Sequence, residues 1–179
     1  RRPACGRALH ARGRRYDCLP SDVRGSEGVR ETVDVGRQLS PVQLREMTGI
    51  EQLPDAAVPS VVQRLERLSD IQEFNFFWER PDYEPALLLW KGAERVMTAR
   101  ILTEVRKIVQ QHNDRSSEHL RQLLDELAQE NGGRGNVYWP LRVALSGKEA
   151  SPDPVEIAEV IGVEEIIARI DIALKKLGV

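Results

Sequence analysis

Aromatic residues are scarce in this chain, 5% of 179 residues, so any core has to be built from Leu, Ile, Val and Ala. That supply favours helices over sheets, which draw on β-branched and aromatic residues. Cysteine is nearly absent: Cys5 and Cys18 flank His10, and a structural zinc site needs four closely spaced ligands, so these read as incidental thiols. No apolar run approaches the roughly 18 residues of a membrane-spanning helix. The Arg-rich start, Arg1 to Arg15, has no apolar segment behind it, so no secretory signal is read there and the expected compartment is the cytosol. Histidines are few and scattered, at His10, His112 and His119, and none lies in a nucleophile or metal-ligand motif. A phosphate-cradling glycine loop, a dinucleotide fingerprint and a nucleophile elbow are all missing. The carboxylates Asp125, Glu126 and Glu130 fall on the outer face of a helical pattern and do not form an acid/base pair. The chain alone is therefore not expected to be an enzyme or to carry a cofactor or metal of its own.

Charge is present but unevenly placed. Residues 1–36 hold eight Arg against five acidic residues, while the whole chain is at −2, which leaves −5 on residues 37–179. An acidic body argues against indiscriminate nucleic-acid binding, which depends on many phosphate contacts. Any RNA bound by this chain has to be held by a local, shaped site.

Residues 1–36 show no periodicity. Gly6, Gly13, Gly25, Gly28 and Gly36 interrupt every apolar patch, and the segment reads as a disordered or non-native leader. Because the sequence begins at Arg1 and not at Met, it also reads as incomplete at its amino end. Order begins at Ser40-Pro41-Val42-Gln43, a capping box with Pro at the first helical position. A second helix is expected after Asp55 with Val58, Val61, Val62, Leu65, Leu68 and Ile71 on one stripe, running into an aromatic knot at Phe74–Trp78. A brief helix is expected over Glu84–Trp90. A long one should follow over Ala93–Gln111 with Val96, Met97, Ile101, Val105, Ile108 and Val109 inward, and another over Ser117–Gln129. After the glycines at 132, 133 and 135, a short helix over Val137–Leu145 should have Pro140 in its first turn. Ser151-Pro152 should cap and open the next, and Glu164–Leu177 should close the chain. The expected class is all-α, as two small helical subdomains over residues 37–114 and 115–179.

One segment carries more than structure. Pro140-Leu141-Arg142-Val143-Ala144-Leu145-Ser146-Gly147, followed by Ala150-Ser151-Pro152, resembles the "plRvAltG…sP" signature near the carboxyl end of bacterial-type glutamyl-tRNA synthetases. Upstream, Val62–Asp70 is similar to that family's "lkeRlktLsE" helix. Phe76-Phe77 with Asp82-Tyr83 is similar to its "fFF…dY" turn, and Leu88–Lys91 to its "Ll.wk" step. The resemblance covers residues 37–179. The family's catalytic domain, with its HIGH-type and KMSKS-type motifs, has no counterpart here, so the chain reads as a fragment.

The resemblance implies an α-helix-cage type anticodon-binding region that grips the anticodon loop of tRNA-Glu as a monomer. ATP and Mg²⁺ would belong to the catalytic domain. By position, Arg142 matches the signature arginine that contacts anticodon bases, and Ser151, Pro152 and Pro154 the loop that approaches them. Arg64 matches the residue that meets the third anticodon base. Trp139 is a candidate stacking face for a splayed base. Pro140 is expected to start the helix that aims Arg142, and Ser151 to cap a helix whose free amides face the RNA. The competing expectation is a helical protein-interaction module with no RNA partner.

Overall fold

A computed structural model describes residues 39–111 and 116–178, which lie in a compact unit spanning Glu31–Val179. The leader assigned to residues 1–36, with Cys5, His10 and Cys18, and also His112, fall outside the described residues. The described residues form no strand but seven α-helices, with 3₁₀ segments only between the first three of them, which bears out the all-α reading.

Helix α1 (Pro41–Thr48) has the expected reciprocal cap, the Gln43 amide donating to Ser40 Oγ at 3.3 Å and the Ser40 amide donating to Gln43 Oε1 at 3.0 Å. Helix α2 (Val58–Arg64) stops earlier than its apolar stripe suggests. Leu65 turns extended, and the chain continues as 3₁₀ turns over Leu68–Phe77. The reason is visible in the spacing: Leu68, Ile71, Phe74 and Phe77 recur every three residues, which aligns them on one edge of a three-residue turn. Ile71, Phe74, Phe76 and Phe77 are all buried there. The helix expected over Glu84–Trp90 is likewise two tight turns, Pro85–Leu88 and Trp90–Gly92.

Helix α3 (Arg95–Gln111) buries Ala99, Ile101, Leu102, Val105 and Val109 and packs along α5 (Arg134–Ser146) and α7 (Val163–Leu177). Val96 and Met97 were expected inward, yet they are 75% and 48% exposed. At about 100° per residue, Val96 falls half a turn away from Val105, on the solvent side. Helix α4 (Ser117–Glu130) completes the layer around α5. The contacts of α3 with α5 and α7 run across the boundary drawn at residue 114.

Two helix starts differ from expectation. Helix α5 begins at Arg134, not Val137, because Gly133 supplies a φ of 118° that other residues rarely adopt. Pro140 therefore sits inside the helix, where its missing N–H leaves the Asn136 carbonyl without its helical donor. Gly135 in the first turn lies against Trp90 so closely that a Cβ would stand 2.3 Å from the indole Nε1.

Helix α6 (Pro154–Ile161) is capped by Asp153, not Ser151. Asp153 Oδ1 accepts from the Val155 amide at 2.9 Å, whereas the Ser151 hydroxyl donates to the Pro152 carbonyl at 3.1 Å. A carboxylate at the positive helix terminus outcompetes a hydroxyl two residues upstream. Asp153→Ala should accordingly lower stability by about 1 kcal/mol, while Ser151→Ala should leave it unchanged. Urea unfolding of both variants checks the assignment, and the reverse order would return the cap to Ser151.

Candidate functional site

The first turn of α6 gathers side chains from three helices. Glu156 receives the end of α2: Arg64 Nη1 donates to Glu156 Oε1 and Nη2 to Oε2, each at 3.0 Å. Ser60, one turn before Arg64, donates its hydroxyl to Glu156 Oε1 at 2.6 Å, and its carbonyl and hydroxyl oxygens both accept from Arg64 Nη1 at 3.1 Å. From α4, Arg121 forks onto the Asp153 cap, Nη1 to Oδ2 at 3.2 Å and Nη2 to Oδ1 at 3.3 Å. Pro154 is buried at the first helical position and Pro152 is buried just before it, with Ser151 half-buried beside them. Four of the six residues predicted from sequence, Arg64, Ser151, Pro152 and Pro154, thus meet at one helix start.

The other two lie along α5. Trp139 donates its indole N–H to the Leu87 carbonyl at 2.8 Å, and its ring sits 4.8 Å from that of Trp90 at 46°. Its polar atom and much of its ring are therefore spent on packing. Arg142 follows one turn later, half-buried, in mid-helix and not in the first turn that Pro140 was expected to set. Its Nε is shut off from solvent and has no hydrogen-bond partner, one of two such side-chain atoms among the described residues, Tyr83 Oη being the other. No described carboxylate pairs with its guanidinium.

Sequence reasoning missed the one charged side chain that is buried among the described residues. Arg169 on α7 is 3% exposed. Its Nε donates to Glu165 Oε1 at 2.9 Å, its Nη1 to the carbonyls of Phe76 (2.8 Å) and Leu145, and its Nη2 to that of Glu79 at 3.3 Å. Glu165 also receives Arg80, Nη2 to Oε2 at 2.9 Å. The hydrogen bonds from Arg80 first, and those from Arg169 against the opposing effect of burial, hold the Glu165 carboxyl below its ordinary range. Nothing in the apolar spacing of α7 signals this, since Arg169 occupies a core position of the stripe. On α5, burial and the Asp125 carboxylate push the Tyr138 hydroxyl up to about 12.

Among the described residues, no group of three or more His, Cys, Asp and Glu lies close enough to hold a metal ion. No described helix is long and apolar enough to cross a membrane. An apolar cleft of about 310 Å³ opens between the ends of α3, α4, α6 and α7, lined in part by Val109, Leu120, Ala158 and Ile166, and holds none of the predicted site residues.

Comparison with known proteins converges on one family. The anticodon binding domain family matches residues 35–174. The glutamate–tRNA ligase of Clostridium kluyveri is 32% identical over 120 residues, 64% of this chain and 24% of that enzyme. The ligase of Herpetosiphon aurantiacus is 33% identical over 124 residues, 68% of this chain and 25% of that enzyme. Among solved structures, the glutamate tRNA ligase of Elizabethkingia meningosepticum superposes with a TM-score of 0.63 at 26% identity, over 76% of this chain and 28% of that one. The chain spans about a quarter of the length of the curated relatives it matches.

Proposed function

Because the chain belongs to the anticodon binding domain family, we propose that it forms the tRNA-binding part of a glutamate–tRNA ligase and holds the anticodon loop of tRNA-Glu as a monomer. ATP, Mg²⁺ and glutamate fall to the portion of such an enzyme outside this chain. The observation that carries the reading is Arg142: a half-buried arginine whose Nε is closed to water and has no partner among the described residues. Such a buried donor left unmade costs about 1–3 kcal/mol, and because the side chain as a whole is only half-buried and no described carboxylate pairs with it, the rest of its guanidinium is left for a ligand that supplies acceptors. An unstacked base in an anticodon loop offers such acceptors along its edge.

Arg64 acts with it, at the third anticodon base, and the loop of Ser151, Pro152 and Pro154 forms the neighbouring wall. The net −5 carried by residues 37–179 leaves little general attraction for phosphate, so the affinity has to come from these local contacts. At fixed salt, the purified chain should bind tRNA-Glu in preference to unrelated tRNAs in a gel-shift series. Equal binding to all tRNAs would remove the anticodon reading. A second reading, a docking face for a protein partner, is favoured by the exposed Val96 and Met97 on α3.

A further inference from the structure

The reading of Arg64 as a base contact raises a question of aim, since an exposed arginine has a long, flexible stem and five donors. Here three acceptor groups occupy most of them. Glu156 takes Nη1 and Nη2 end-on at 3.0 Å, and Ser60 takes Nη1 with both its oxygens at 3.1 Å. What no described residue takes is the Nε–H and the outer Nη2–H. These two donors lie side by side on one edge of the guanidinium plane. The side chain is still 37% exposed, which lets a ligand meet that edge.

We propose that Glu156, supported by Ser60, is the positioning residue that aims Arg64 and thereby sets selectivity at the third anticodon base. This rests on the reading of Arg64 under Proposed function. Two parallel donors match a base edge with two adjacent acceptors. Cytosine presents such a pair in O2 and N3, whereas guanine opposes the fork with its N1–H and N2–H. Glu156 enforces the match twice. It occupies the end-on pair of donors and so fixes the guanidinium plane, offering one edge only, and a guanine could be accepted there only by turning its O6 and N7 edge toward that fork. It also neutralises the arginine, so that attraction to any phosphate does not override the base. Glu156 is itself held, because it stands in the first turn of α6, whose Asp153 cap is gripped by Arg121.

The test is tRNA binding by the full chain at one stated salt concentration, with tRNA-Glu and with the same tRNA carrying guanine at the third anticodon position. The unaltered chain should prefer cytosine, and Glu156→Gln should cut that preference by about tenfold, chiefly through tighter binding of the guanine form. Arg64→Ala should cut it by a similar factor, and Glu156→Gln should add nothing in the Arg64→Ala background. Ser60→Ala, which removes one acceptor of Nη1 and the hydroxyl that donates to Glu156 Oε1, should give a partial loss and stands in if Glu156→Gln fails to fold. Glu159→Gln, exposed one turn along α6, should leave the ratio unchanged. A lowered melting temperature with an unchanged ratio would make Glu156 merely structural and overturn the proposal. Loss of preference in Arg64→Ala but not in Glu156→Gln or Ser60→Ala would overturn the positioning role and leave Arg64 standing. No preference in the unaltered chain would remove the Arg64 reading and the proposal together.

Discussion

Arg169→Ala should unfold this domain at a temperature lower by roughly 10–20 °C, the equivalent of about 3–5 kcal/mol for a domain of this size. The size follows from what the substitution leaves behind. The carbonyls of Phe76, Leu145 and Glu79 all accept from the guanidinium, and the side chain is 3% exposed, so little water reaches them once it is gone. Glu165 loses less, because Arg80 still donates to it at 2.9 Å. Arg169→Met keeps the stem and its packing but removes the donors, so it should recover only the cavity part of the loss. Arg169→Lys keeps the charge but cannot reach three carbonyls from one ammonium, and should fall between the two. Thermal unfolding followed by circular dichroism orders the three variants. A loss below about 1 kcal/mol in Arg169→Ala would mean the arginine does not join α7 to α5 and to the aromatic turn.

The same cluster sets an acid limit. The folded-state pKa of Glu165 is depressed, by Arg80 first and by Arg169 with it. Its contribution is therefore complete above the unfolded carboxyl range and is lost as pH falls through the lower folded value. Melting temperature measured from pH 7 down to 3 should decline in that window. The decline should be shallower in Arg80→Ala, which removes the largest cause of the shift. An equally steep decline in that variant would place the acid sensitivity elsewhere.

Much of the helical layout could be read from local chemistry. The box at Ser40 and Gln43 is satisfied within four residues, and the core positions of α3 beyond its first turn follow from a 3.6-residue period. What could not be read depended on partners distant in sequence. Arg169 looks like an interruption of an apolar stripe until Leu145 and Phe76 are folded beside it. Ser151 is a plausible cap by itself, but the Asp153 carboxylate takes the role at the helix terminus, and Arg121, 32 residues away, holds it there. Likewise the tight turns over Leu68–Phe77 answer to the burial of three Phe against neighbouring helices, not to any local preference for that geometry. At the candidate site, sequence similarity located Arg142 and Arg64. Their unequal states, one without a partner among the described residues and one clamped by Glu156 and Ser60, emerged only from the fold.

That inequality makes Arg142 the sharpest test of function. Arg142→Ala should weaken binding of tRNA-Glu by about 1–3 kcal/mol, the range for one good base contact, and should reduce discrimination against an altered anticodon. Stability should be unchanged or slightly higher, because the substitution removes a buried donor that has no partner in the fold. This combination separates three roles. A phosphate contact would weaken all tRNAs alike and flatten the salt dependence by about one unit of slope. A structural role would lower the melting temperature and leave relative affinities intact. A base contact alone lowers selectivity at constant or raised stability. Arg100, exposed on the outward side of α3, is the control, and Arg100→Ala should leave the preference among tRNAs as it was. Equal losses from the two substitutions would show that Arg142 contributes charge and nothing more specific. A melting temperature that falls in Arg142→Ala alone would show that its guanidinium has a partner within the fold after all.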